Sequence, residues 1–218
     1  MSESESAARD DTREPLVVYT VGHSNVPLES FLALLARHQI ATLVDVRSAP
    51  YSRYVPHFNR NALEPAVERA GIAYRFAGES LGGRPEGDEF YDAEGHVLYA
   101  RVAQTPSFRR GIARLQELAA SGHVAVMCGE EDPAGCHRRL LVGRVLAREG
   151  ALLRHIRADG HVEEEREVAL AVPPPSLWDD PDDAAAREEA QWKSIRPVSR
   201  STPPSNSSRP SGEPASGD

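Results

Sequence analysis

The chain holds only two cysteines and two methionines, and aromatic residues fill 6% of its 218 positions. So few thiols exclude a disulfide-rich scaffold and the four-cysteine zinc modules. No apolar run approaches the length a bilayer core demands, so no transmembrane helix is expected. A basic excess is also missing: 25 Lys and Arg face 33 Asp and Glu, a formal charge of -8. A chain of that sign does not take up nucleic acid by charge alone. The start, MSESESAARDDTREP, lacks the basic and apolar parts of a secretory signal, so the cytoplasm is the expected compartment. A structural disulfide between Cys128 and Cys136 is unusual there, which leaves reduced thiols or a metal site.

What is present is a strand–helix rhythm over residues 16–170. Leu16 to Val21 reads as a strand, and Leu28, Phe31, Leu32 and Leu35 follow at helical spacing. Leu43 to Val46 is a second strand. Leu63, Ala66, Val67 and Ala70 make a helix that Gly71 stops, and Ile72, Tyr74 and Phe76 alternate as a third strand. A Gly-rich loop is expected over 77–96, with Leu81 to Pro85 as a mobile lid. Phe108, Ile112, Leu115 and Leu118 form the next helix, then His123 to Cys128 a strand, 137–149 a helix and Leu152 to Ile156 a strand. Asp159-Gly160 turns that last strand into an antiparallel edge. This alternation predicts an α/β fold: a single compact domain with a mostly parallel sheet and helices on both faces. The expected organisation is a disordered arm at 1–14, the domain at 15–172, a partly helical extension at 173–196 and a disordered C-terminal tail at 197–218. A helix near 182–193 would be docked by Trp178 and Trp192.

Three strand ends carry polar clusters: Gly22-His23-Ser24-Asn25, the run from Asp45 to Arg53, and Cys128-Gly129-Glu130-Glu131-Asp132. If those strands are neighbours, His23, Asp45, Arg47 and Cys128 meet at the carboxyl edge of the sheet, where open α/β sheets bind ligands. Cys128 has three readings. It is a nucleophile whose thiolate Arg47, His23 or Arg138 favours. It is a metal ligand with Cys136 and His137, the ion being zinc or iron and the fourth position falling to His23 or water. Or it only packs. The strand–Cys–loop–Arg–helix order differs from the anion-binding loop of cysteine phosphatases. Nine residues separate Cys128 from Arg138 rather than five, and the loop is acidic.

Arg47, Arg53 and Arg84 are candidate contacts for an anionic small molecule or a nucleic acid, with Arg138 as a further one. Ser24, Ser48 and Ser52 add hydroxyls, and Tyr51 or Tyr54 can stack on a base. His23 and Glu130 are the candidate proton carriers. Asp45, flanked by apolar residues, is expected buried and paired with an arginine. Three functions follow. The first is an enzyme acting on a phosphate-bearing or nucleotide-like substrate, a hydrolase or transferase with a reactive or metal-bound cysteine. The second is a binding module for nucleotide or nucleic acid without chemistry. The third is a metal-dependent hydrolase using Cys128, Cys136 and His137.

In order, the blocks T-V-G-H-S-N, L-V-D-V-R-S-x-P-x-S-R, L-G-G-R and C-x-E-x-D-P-x-x-C-H-R resemble the domain-of-unknown-function 488 family over about residues 17–160. Glu130-Glu131 stands where that family characteristically has Glu-Lys. The resemblance implies a compact α/β domain of bacteria and archaea, with its site at these blocks. It supplies no reaction.

Overall fold

Strand residues that alternate in direction yet are apolar on both sides need cover on both sides. That is what the computed structural model shows; it describes residues 15–169 and 192–198. In chain order the elements are β1 (Val17–Gly22), α1 (Leu28–Arg37), β2 (Thr42–Asp45), α2 (Arg60–Arg69), β3 (Ala73–Phe76), α3 (Gly78–Leu81), α4 (Tyr99–Gln104), α5 (Pro106–Ser121) and β4 (Val124–Cys128). A π-helical turn (Arg138–Gly143) then runs into α6 (Arg144–Arg148), followed by β5 (Leu152–Ile156), β6 (Val162–Glu164) and α7 (Glu165–Ala169). The sheet order is β3-β2-β4-β1-β5-β6, parallel except for β6.

One face buries Tyr19, Val21, Leu43, Ala125 and Met127 against Phe31 and Leu35 of α1 and Leu63 and Val67 of α2. The other buries Val18, Val44, Val124 and Val126 against Phe108, Ile112 and Leu115 of α5 and Leu146 of α6. The chain is therefore a single α/β domain with a two-faced core. Thr105 starts α5 by accepting the Phe108 N–H at 3.2 Å, with Pro106 in the first turn. Gly71, at φ +79°, ends α2 in a conformation that side chains disfavour.

Two segments differ from the sequence expectation. The stretch 77–96 is not one loop, because Gly78–Leu81 is helical and Asp88–Phe90 forms a 3-10 turn. Leu81 is fully buried in the core beneath α5, and a helix this short carries no readable period. The expected lid is also fastened. Tyr91 is buried and donates its hydroxyl to the Pro85 carbonyl at 2.8 Å, and the Arg84 N–H donates to Ser48 Oγ at 3.0 Å. Second, the helix expected at 137–149 opens with a π turn, a feature side-chain periodicity does not encode.

Residues 192–198 form a strap. Trp192 is buried, donates Nε1–H to the Leu140 carbonyl at 2.6 Å, and lies under the guanidinium groups of Arg144 and Arg148. Lys193 pairs with Asp92 at 2.8 Å, and Ser194 exchanges hydrogen bonds with Val97. Pro197, expected at the start of the tail, still belongs to this strap, and the Val198 N–H donates to the Gly95 carbonyl at 2.9 Å. Trp178 and most of the helix expected at 182–193 lie outside the described residues. No helix among the described residues is long and apolar enough to cross a membrane.

Candidate functional site

The chain returns from the sheet's flank to insert β4 between β1 and β2, so the three polar strand ends become neighbours. Their register is level: Gly22 faces Cys128, and Asp45 faces Met127. The ladder runs on past the strands through His23 N–H to Cys128 O at 3.1 Å and Ser24 N–H to Gly129 O at 2.9 Å. Gly22 permits this closeness, since a Cβ there would overlap the Glu130 carbonyl at 1.8 Å. The expected convergence of His23, Asp45, Arg47 and Cys128 is thus present.

Beneath the site lies a buried polar cluster. Arg47 donates Nε–H to Asp45 Oδ1 at 2.9 Å and Nη2–H to Oδ2 at 2.6 Å, and Tyr74 donates to the same Oδ2 at 2.6 Å. Burial opposes the Arg47 charge, but Asp45 outweighs it and raises the guanidinium's pKa. Burial, then Asp45, raises the Tyr74 phenol. His23 stacks on Phe58, with ring centroids 4.1 Å apart. Its Nδ1–H donates to the Ser24 carbonyl at 2.8 Å, and its Nε2 accepts from Arg47 at 3.0 Å. Burial, then Arg47, lowers the imidazole to about 4. Both nitrogens of His23 are engaged in the floor of the site.

Against the thiols lies His137 instead. Its Nε2–H donates to the Val46 carbonyl at 3.0 Å, which turns Nδ1 towards Cys128 Sγ at 3.6 Å and Cys136 Sγ at 4.0 Å. The Cys128 thiol is pushed down by a hydrogen bond from Cys136, against burial, with help from Arg138 and the Gly129 and Glu130 N–H groups. The same bond and burial push Cys136 well up. Of the two, Cys128 is therefore the thiol that ionises more readily. Burial opposes a charge on His137, but Cys136 and the Val46 carbonyl outweigh it and raise its pKa.

Arg138 is fully buried and already engaged. It donates to the Glu130 and Glu131 carbonyls and to Thr20 Oγ1, so it shapes the 129–132 loop from below. Thr20 is bonded in turn to His155, and His155 to Glu165, at 2.8 Å each. Arg138→Met is expected to leave loop carbonyls bare, at about 1–3 kcal/mol for each. Faster amide exchange across Gly129–Asp132 checks this, and unchanged exchange there contradicts it.

A cavity of about 970 Å3 opens above Cys128 and His137, lined also by Arg47, Tyr51, Arg84, Tyr99, Glu130 and Arg196. Arg53, Ser24, Ser52 and Arg138 are not part of its lining. Arg53 folds onto the Tyr54 ring at 4.8 Å, Ser52 Oγ accepts from the Tyr54 N–H, and Ser24 faces Asn25. Glu131 and Asp132 line the cavity but pair with Arg157. The side chains of Arg84, Glu130 and Arg196 form no ion pair among the described residues. Sequence reasoning missed Tyr99 and the strap residues Ser194 to Val198 as cavity wall. Only Trp192, an isolated large apolar residue in a polar stretch, marked the strap.

The family described as a domain of unknown function, DUF488, matches residues 27–145. No curated protein and no solved structure gives a significant match. The matched stretch holds Arg47, Arg84, Cys128, Cys136 and His137, while the strap lies beyond it. Because it spans more than half of the sequence, the chain belongs to the domain-of-unknown-function DUF488 family.

Proposed function

We propose that the chain is an enzyme, a hydrolase or transferase, acting in this cavity on a phosphate-bearing, nucleotide-like substrate. The observation that carries the reading is the meeting of both cysteines and His137 at one point, where Cys128 and His137 line a cavity at the carboxyl ends of the strands. The cavity has the size of small-molecule sites in general. Arg84 and Arg196 supply guanidinium groups for an anion that pair with no carboxylate among the described residues, while Arg47 is neutralised by Asp45. Glu130 takes the proton-carrying role, since its exposed carboxylate lines the cavity and the nitrogens of His23 are engaged.

Turnover of a panel of nucleotides and phosphate esters tests the reading. Cys128→Ser is expected to abolish it. Arg84→Ala is expected to raise KM by about tenfold to a hundredfold, the worth of a charged hydrogen bond. Wild-type turnover in both variants would refute the assignment.

A second reading has its own observation. Tyr51 is 75% exposed and lines the cavity, a platform on which a base can stack. A binding module of this kind leaves Cys128 inert, so its affinity would fall with salt and ignore thiol blocking.

A further inference from the structure

We infer that Cys128, Cys136 and His137 hold a zinc ion whose remaining coordination position opens onto the cavity. The inference deepens the proposed function and rests on it for the ion's role. Its first support is distance. Zinc–sulfur bonds of about 2.3 Å and zinc–nitrogen bonds of about 2.0–2.1 Å at tetrahedral angles put sulfur and nitrogen about 3.6 Å apart. Cys128 Sγ and His137 Nδ1 are 3.6 Å apart, and Cys136 Sγ stands 4.0 Å from the same nitrogen. All three ligand atoms lie within 4.8 Å of one another. A few tenths of an ångström, within a small side-chain rotation, bring Cys136 Sγ to the same spacing from the nitrogen.

The second support is the histidine's orientation. A carbonyl only accepts, so the Val46 oxygen fixes the proton on Nε2 and leaves the Nδ1 lone pair aimed between the sulfurs. Metal-bound histidines are held in this way, by a backbone carbonyl on the far nitrogen. Packing of two thiols requires no such tether. Gly83 adds a third observation. A Cβ there would meet His137 Cγ at 2.6 Å and Nδ1 at 2.8 Å, so the L-G-G-R block must be bare where it passes the ring.

The ligand set also narrows the ion. Two thiolates and one imidazole suit zinc and balance its charge. Two cysteines cannot supply the four thiolates of an iron–sulfur cluster. Cys128 and His137 line the cavity and Cys136 lies behind them, so the open position faces the substrate side. Three protein ligands with one position open is the pattern of catalytic zinc, and such an ion makes a bound water acidic near neutral pH.

The test is metal analysis of the purified full-length chain grown with zinc, together with cobalt(II) added to the chelated protein. Stoichiometric zinc is expected, with cobalt giving the intense visible bands and thiolate charge-transfer absorption of a tetrahedral site. Cys136→Ser and His137→Ala are expected to lose the zinc. Gly83→Ala is expected to weaken it about tenfold to a hundredfold, as loss of supporting geometry does. A wild-type chain that neither carries zinc nor develops the cobalt spectrum overturns the inference, whatever the variants do. So does zinc retained by both Cys136→Ser and His137→Ala. The outcomes separate this inference from the proposed function. Turnover lost in Cys128→Ser without any metal removes the zinc and keeps the enzyme, while bound zinc with no turnover does the reverse.

Discussion

Replacing Asp45 by alanine is expected to destabilise the chain by about 3–5 kcal/mol, the cost of leaving one partner of a buried ion pair alone. Asp45 is fully buried, and its oxygens receive two hydrogen bonds from the Arg47 guanidinium and one from Tyr74. Without it, Arg47, a residue only 8% exposed, faces His23 and the end of β4 without its carboxylate partner. Tyr74→Phe removes only one donor and is expected to cost about 0.5–1.5 kcal/mol, or up to about 3 if the charge strengthens the bond. Urea midpoints for the two variants check the ranking. A loss below about 1 kcal/mol for Asp45→Ala would mean that Arg47 finds water, and that the floor is not sealed.

The second large effect is a pH dependence written into His23. The folded imidazole is neutral down to about pH 4, held there first by burial and then by Arg47, whereas an unfolded histidine titrates near 6.5. As pH falls below 6.5 the unfolded chain takes up a proton that the folded chain refuses. Stability from this group is complete above 6.5 and is lost on the way down to 4. At about 1.4 kcal/mol per pH unit, the loss is about 3 kcal/mol. Asp45 and His57 also act on His23, with opposite signs and less strongly than Arg47. His23→Gln can still accept from Arg47 but does not titrate. Unfolding free energies measured from pH 7 to 4 should therefore fall more steeply in the wild type than in this variant. Parallel curves would show that His23 is protonated in the folded chain.

What could be read from the sequence was whatever local pattern controls. Val124 to Met127 announced a buried strand because both of its neighbouring faces are packed, and Cys128 followed as its last residue. The polar strand ends pointed to one edge because a parallel sheet puts all of its carboxyl ends on the same side. Asp45 was recognisable as buried and paired from its apolar flanks. Roles fixed by long-range geometry were not legible. Arg138 looked like a contact for substrate, yet it is fully buried, because the 129–132 loop turns its carbonyls down onto it. His23 and His137 are equally polar in sequence. What separates them is a carbonyl: His137 reaches across to Val46, 91 positions away, and so faces the thiols. The strap reaches the cavity through backbone bonds to Val97 and Gly95, which no side-chain pattern announces.

The Cys128–Cys136–His137 cluster is proposed as a reactive centre reached from the cavity. The most direct measurement is alkylation of the folded full-length chain, with Cys128 and Cys136 followed separately by mass spectrometry before and after chelation. Cys128 is 8% exposed and lines the cavity, whereas Cys136 is 1% exposed behind it. The prediction is protection of both thiols before chelation, then labelling of Cys128 well ahead of Cys136. Labelling of both at the rate of global unfolding, unchanged by the chelator, would reduce the cluster to packing.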